Sequence, residues 1–236
     1  METKPGLDLT SVMAVLTLAT GMVEAVSLLA LGPVFTAMQT GNVLFLGFAL
    51  IGEGGVSAVA TSLSLGAFVV GNIVGARLES VMDAHGRRWF DIALFTEAAL
   101  LAVAGFTAWG LDMADGPPSA RHVVTTAVVA LAMGMRNVTA MRAKVPDMTT
   151  TVATRTITAL VSGSPLGHDA AMGYGSGASG RRSIGVLTLF AGGILGAWLL
   201  HLDWSPTAVL LLVAALVLGL AAAFATTVRH SPPMAT

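Results

Sequence analysis

The chain has no cysteine and very little charge. With no thiol among 236 residues, disulfides, thiolate metal sites and cysteine nucleophiles are excluded. Charged residues are 11% of the chain, against about 25% in a soluble domain. Twelve Lys and Arg against 13 Asp and Glu leave a formal net charge of −1, so there is no basic surface for nucleic acid. His85, His122, His168, His201 and His230 fall in loops or at the ends of apolar runs without metal-ligand spacing, and no metal or cofactor is expected. No membrane serine has an evident histidine partner, and no strand–loop–helix context supports a phosphate-binding loop. The chain is therefore not expected to be an enzyme.

What is abundant is apolar. Hydrophobic residues make up 55% and the mean hydropathy is +0.81. Runs of roughly 18 or more apolar residues read as bilayer spans, and six such segments recur: Leu9 to Leu31, Val56 to Leu78, Trp89 to Leu111, His122 to Met141, Ile184 to Leu200 and Pro206 to Thr226. The composition predicts an all-α, polytopic membrane bundle in contact with lipid. Met1 to Leu9 is mixed in charge and lacks a cleavage-site pattern, so the first span is expected to be retained.

Two further segments are ambiguous. Val34 to Ile51 follows Pro33 and carries Thr36, Gln39, Thr40 and Asn42; Asp147 to Ser162 follows Pro146 and carries many threonines and Arg155. Either they span, giving eight helices, or they are re-entrant or broken elements, leaving six full spans. Lys and Arg favour cytoplasmic loops, which gives a test. With eight spans the basic residues divide evenly between the two faces. With six, one face holds Lys4, Arg77, Arg87, Arg88, Arg142, Lys144, Arg181, Arg182 and Arg229, and the other only Arg121. The six-span arrangement with both termini cytoplasmic is preferred. In it Glu79 to Arg88 is a short charged connection, and residues 163–182 form a Gly/Ser-rich cytoplasmic linker.

The halves 9–111 and 122–226 resemble each other within one transmembrane domain. Gly21-Met22-Val23-Glu24-Ala25 aligns with Gly134-Met135-Arg136-Asn137-Val138, Pro33 with Pro146, and Thr40-Gly41-Asn42 with Thr154-Arg155-Thr156. Gly71-Asn72-Ile73-Val74-Gly75 aligns with Gly192-Gly193-Ile194-Leu195-Gly196, and all matches occur in the same order. Three spans per half is an odd number, so the second half enters from the opposite face. The expectation is two inverted repeats with broken helices near a central site, as in many transporters.

The same residues carry a family resemblance. Gly21 to Ser27, then Gly32 to Gly47 with its run Phe35-Thr36-Ala37-Met38-Gln39-Thr40-Gly41-Asn42, resemble the YoaK-like family of small bacterial membrane proteins. Ala132 to Asn137 and Asp147 to Val152 fit the second half. Two departures stand out: Glu24 where the family usually has Asp, and Arg155 in place of the second motif's glycine. The resemblance implies a multi-pass protein of the bacterial cell (inner) membrane and supplies no substrate.

Candidate site residues are the few polar groups inside apolar segments. Glu24 leads, because an ionisable group within a span costs on the order of 3 kcal/mol and usually faces a cavity or the bundle interior. It shares a helix face with Thr17, Gly21 and Ser27. Thr40, Gly41 and Asn42 supply hydrogen-bonding groups and close backbone approach, and a helix beginning near Val43 would aim its N–H groups at a ligand. Arg136, Asn137, Thr154 and Arg155 are the second-half counterparts, with the cations either attracting an anion or neutralising Glu24. Glu97 and Asn72 either line a pathway or tie helices together. Gly71, Gly75, Gly192 and Gly196 are expected to serve close helix packing. The function expected is a small secondary permease or channel, with a midplane site for a small polar or ionic solute. The alternative is a non-catalytic membrane subunit or scaffold, contacting a partner through residues 163–182 and Arg87 and Arg88. The small size admits a homodimer.

Overall fold

In a computed structural model the described residues are 8–113, 117–145, 153–163 and 178–229. They form eight α-helices: α1 (Leu9–Leu29), α2 (Gln39–Leu50), α3 (Ala58–Ala84), α4 (Trp89–Thr107), α5 (Ala120–Arg142), α6 (Ala153–Ser162), α7 (Ala178–His201) and α8 (Pro206–Arg229). Six are long and apolar enough to cross a membrane. The 12 residues of α2 and the 10 of α6 are not: at about 1.5 Å per residue they reach about 18 and 15 Å, against a hydrocarbon core of about 30 Å. The chain is an all-α, polytopic bundle of six candidate spans and two short helices.

Local chemistry sets the ends of these helices. The Asp8 side chain caps α1 by accepting from the Ser11 N–H at 3.1 Å, and Ser57 caps α3 through the Ala60 N–H at 3.2 Å. At the other end of α1, the Leu31 N–H turns back to the Val26 carbonyl at 3.1 Å. Gly32 then adopts φ +116°, a conformation open chiefly to glycine, and Pro33 has no N–H with which to continue a helix. The chain stays non-helical until α2 begins at Gln39.

α1, α4, α5 and α8 form the centre. Their buried side chains, among them Val12, Leu16, Val23, Leu94, Leu101, Val129, Met133, Leu210, Val213 and Val217, make one continuous core. α7 packs on α1 and α3 on α5, while α2 lies on α3 and α6 on α7. Exposed apolar side chains are densest on the outer helices, with Val69, Val70, Ile73 and Val74 of α3, Leu187, Phe190, Ile194 and Trp198 of α7, and Val43, Leu44 and Phe48 of α2, and they continue on the outward faces of α4 and α8 at Val103, Phe106, Leu212 and Leu218. So much exposed apolar surface suits lipid and not water.

The helix packing has a regularity. Exchanging α1 with α5, α2 with α6, α3 with α7 and α4 with α8 maps the main helix pairs onto one another: α1–α7 onto α5–α3, α1–α8 onto α5–α4, α2–α3 onto α6–α7, and α3–α4 onto α7–α8. The α1–α5 and α4–α8 pairs map onto themselves.

Some boundaries differ from those expected. α3 continues through Ala84, so residues 79–84 are helical and the connection shrinks to His85–Arg88. Hydropathy marks where charge begins, whereas this helix extends past that point because its charged last turns find partners on α5: Thr139 donates to Glu79 at 2.5 Å, and Arg142 pairs with Asp83 at 2.5 Å. Likewise α7 starts at Ala178, so the end of the expected 163–182 linker is helical; residues 164–177 lie outside the described residues.

Candidate functional site

The polar centre of the first half is the chain reversal between α1 and α2. Glu24, 5% exposed, reaches from α1 to the reversing segment. Its Oε1 accepts from the Thr36 N–H at 3.1 Å, the Met38 N–H at 3.2 Å, the Thr36 hydroxyl at 3.4 Å and the Ala37 N–H. Three successive backbone N–H groups converging on one oxygen form an anion-binding nest. They precede a helix whose N-cap, Met38, offers no side-chain hydrogen bond. Glu24 therefore supplies from another helix the negative charge that this N-terminus favours.

Asn42 locks the same segment from the α2 side. Its Oδ1 accepts from the Phe35 N–H at 2.9 Å, and its Nδ2 donates to the Phe35 carbonyl and to Gln39 Oε1, each at 2.6 Å. Ser64 of α3 donates to the same Phe35 carbonyl at 2.6 Å, and Ser27 of α1 donates to the Val34 carbonyl at 2.6 Å. A non-helical backbone inside an apolar bundle persists only where such groups satisfy it. Gly41 is required for a different reason: a Cβ there would collide with the Phe35 ring, which stacks on Phe45 with centroids 5.5 Å apart. Thr40 is exposed on α2.

One oxygen of this network is unmatched. Glu24 Oε2 is buried and has no hydrogen-bond partner among the described residues. Glu24 also lines a cavity of about 290 Å³ bounded by α1, the reversing segment and α7, with Leu28, Phe35, Met38, Leu189 and Gly193 among its walls. Apart from Glu24, every wall residue has an apolar side chain or none. Glu24 is five residues beyond Ala19, the central residue of α1, about 8 Å along the axis. The cavity thus sits toward the C-terminal end of α1.

Among the described residues, the second half supplies no partner to Glu24. Arg136, 1% exposed, pairs with Glu97 of α4 and not with Glu24. It also donates to the Leu16 carbonyl at 3.0 Å and the Thr20 hydroxyl at 2.9 Å. Thr20 precedes Glu24 by four residues, so the buried cation and the nest lie about one helical turn apart on α1. Asn137 is half-buried and contacts Met141 Sδ at 4.0 Å. Thr154 and Arg155 are exposed on α6; Asp147 to Val152 lie outside the described residues. The expected helix start near Val43 is corrected to Gln39, and the N–H groups ahead of it already serve Glu24. In place of a single constellation, the structure shows a Glu24–Asn42 network and a separate Arg136–Glu97 pair.

Sequence reasoning missed Ser64 and the Glu97–Arg136 pairing. Both are polar groups within apolar runs, which is the signal that flagged Glu24, but linear order gives no distance between α4 and α5. Asn72 donates to the Phe68 carbonyl one turn earlier in α3, at 2.8 Å. Arg88, a suggested partner contact, is held by Asp91 at 2.6 Å and by the Ala225 carbonyl at 3.0 Å. No group of three or more His, Asp or Glu side chains suited to a metal ion occurs among the described residues.

The glycines form two matching seams. Cβ atoms at Gly21 and Gly192 would collide with the Leu189 and Leu18 carbonyl oxygens, and one at Gly196 would lie 2.9 Å from Met22 Cα. On the other side, Cβ atoms at Gly134 and Gly71 would collide with the Phe68 and Leu131 carbonyl oxygens, and one at Gly75 would lie 3.1 Å from Met135 Cα. Small residues here let the backbones touch.

A family model described as protein of unknown function (DUF1275) matches residues 12–224. No curated protein and no solved structure matches the chain.

Proposed function

The chain belongs to that family of unknown function, and from its geometry we propose that it is a small secondary permease or channel in which Glu24 binds the moving species. One observation carries this reading: a buried carboxylate, fixed through one oxygen by a nest of backbone N–H groups, lines a cavity while its other oxygen lacks a partner. Unpaired ionisable groups at membrane depth mark pathways for ions or solutes more often than they serve packing. A chain reversal that places a short helix against such a group is the architecture of transporter sites.

The proposal includes two inverted repeats. The exchange symmetry of the helix pairs supports it, as do the glycine seams. Gly21, Met22 and Leu18 are each 113 residues before Gly134, Met135 and Leu131, while Gly71, Gly75 and Phe68 are each 121 before Gly192, Gly196 and Leu189. The same contacts therefore recur at constant offsets. Six spans with both termini cytoplasmic, in an inner membrane, complete the reading, which assigns the chain no catalytic reaction; a homodimer fits its small size.

The test is flux through proteoliposomes of the purified chain, with a pH-sensitive dye inside and a panel of labelled small solutes outside. The expected result is saturable movement of protons or of one solute, lost in Glu24→Gln. Flux that survives Glu24→Gln combined with Asn42→Ala, or no flux of any species, overturns the proposal.

A further inference from the structure

The end of α4 and the start of α5 enclose a cleft of about 280 Å³, lined by Phe106, Thr107, Ala120, Arg121 and Val124. Phe106, Ala120, Arg121 and Val124 are exposed. The Thr107 hydroxyl is engaged within the bundle, donating to the Ala104 carbonyl at 2.8 Å and accepting from Thr125 at 3.1 Å. Arg121 is therefore the polar group that the cleft offers. Its guanidinium is already oriented, because Nη2 donates to the Thr107 carbonyl at 3.2 Å and to the Trp109 carbonyl. That engages two of the five N–H groups of an arginine. Nε and Nη1 have no partner among the described residues. Unlike Arg88, Arg136 and Arg142, Arg121 forms no ion pair there. We infer that this cleft holds an anionic phospholipid, its phosphate accepting from Arg121 and one acyl chain lying along Phe106 and Val124.

The depth of the cleft fits that occupant. α4 has 19 residues, about 28 Å at 1.5 Å per residue, close to the hydrocarbon core of about 30 Å. Its end at Thr107 therefore stands at headgroup level. Trp109, whose carbonyl receives Arg121, is exposed there, as interfacial tryptophans are. From that level the apolar surface runs inward, since Val103, one turn before Phe106, is also exposed. A phospholipid presents the same order, a charge above a hydrocarbon chain, whereas a polar solute would lay its hydroxyls or its own charge on apolar walls. The guanidinium matches phosphate through paired, charge-assisted hydrogen bonds. A choline or ethanolamine headgroup would add an ammonium beside that cation, so a headgroup without one is preferred. The repeated packing frame does not require a cation here. The residue 113 earlier, at the offset of the glycine seams, is Asp8, which caps α1. Arg121 is also the second residue of α5, where a helix disfavours positive charge. It does cap the last carbonyls of α4, so lipid binding and stability are read separately.

This inference does not depend on the permease reading, and binding alone tests it. The full-length purified chain in dodecyl maltoside micelles is titrated with dioleoyl-phosphatidylglycerol or dioleoyl-phosphatidylcholine, and the lipids retained per chain are counted by native mass spectrometry. The expected result is one phosphatidylglycerol retained in preference to phosphatidylcholine. Arg121→Gln should weaken that retention by roughly tenfold to a hundredfold, the scale of a hydrogen bond to a charged group. Ala120→Phe, which fills the cleft from an exposed position and leaves Arg121 in place, should release the lipid while the thermal midpoint stays unchanged. Arg87→Gln, at an exposed cation beyond the other end of α4, should leave retention unchanged. Equal retention of the two lipids overturns the assignment, as does undiminished retention in Arg121→Gln or in Ala120→Phe. Loss of the lipid in Arg87→Gln alone puts the headgroup at the opposite face and overturns it too. If Arg121→Gln does not fold, Ala120→Phe and the pair of lipids decide.

Discussion

The two glycine seams, α1 on α7 and α5 on α3, are built alike, yet the charges beside them are opposite and are held in opposite ways. In the first half a carboxylate, Glu24, is held by backbone N–H groups and keeps one oxygen unpaired. In the second a guanidinium, Arg136, is held by a carboxylate from α4 and by α1. The packing frame is present twice, whereas among the described residues the chemistry differs. Close backbone contact requires small residues at fixed spacing, and both halves retain them. A buried charge requires only that something neutralise or solvate it, and the halves solve this differently: one with a nest of backbone N–H groups, the other with an ion pair in which Glu97 Oε2 and Arg136 Nε also lack a hydrogen-bond partner among the described residues.

The comparison can be broken most severely at the ion pair. Arg136→Leu leaves Glu97 buried without its partner, and a loss of about 3–5 kcal/mol is expected. Arg136→Met combined with Glu97→Leu should recover most of that, since an apolar pair of similar volume is often neutral or better. Thermal unfolding of the purified variants in one detergent measures both. A double variant no better than the single would show that the pair does more than neutralise itself.

A smaller effect tests whether the seams are equivalent. Gly192→Ala and Gly71→Ala each drive a methyl into a facing carbonyl, and each should cost about 3 kcal/mol, the upper part of the range for overpacking. Gly66→Ala and Gly219→Ala meet nothing within 4 Å and should leave stability unchanged. Unequal costs for Gly192 and Gly71 would mean that one seam yields where the other cannot.

The smallest effects separate the two sets of motif residues. Asn42→Ala leaves the Phe35 N–H without its partner, for an expected loss of about 2 kcal/mol. Thr154→Ala, at the position aligned with Thr40, changes an exposed side chain and should fall within about 0.5 kcal/mol of the parent. A Thr154→Ala loss as large as that of Asn42→Ala would show that the second short helix is locked as tightly as the first.

Much of this was legible before the structure. Apolar runs located the six long helices, because a span must be continuous and nearly uncharged, and the charge count favoured leaving α2 and α6 out of them. Glu24 and Asn42 stood out as polar groups in apolar surroundings. What could not be read was who meets whom. Arg136 looked as well suited to Glu24 as to Glu97, since sequence order does not say which helices are neighbours. The role of Gly41 was also hidden, because it depends on the Phe35 ring folding back over α2. The end of α3 was misplaced since hydropathy responds to Glu79 and Asp83, whereas the helix responds to their partners on α5.

The central claim, that a duplicated frame enters the membrane in opposite senses with α2 turning back to the face it came from, is tested most directly by side-specific labelling. The chain has no cysteine of its own, so single cysteines at Gly54, Asp83, Lys144 and Leu202 can be probed with an impermeant thiol reagent before and after permeabilisation. Gly54 and Leu202 should label from outside, and Asp83 and Lys144 only after permeabilisation. A fifth single cysteine at Lys4 should label, like Asp83, only after permeabilisation; if Gly54 labels from the same face as Lys4, α2 crosses the membrane and the halves do not enter as inverted repeats.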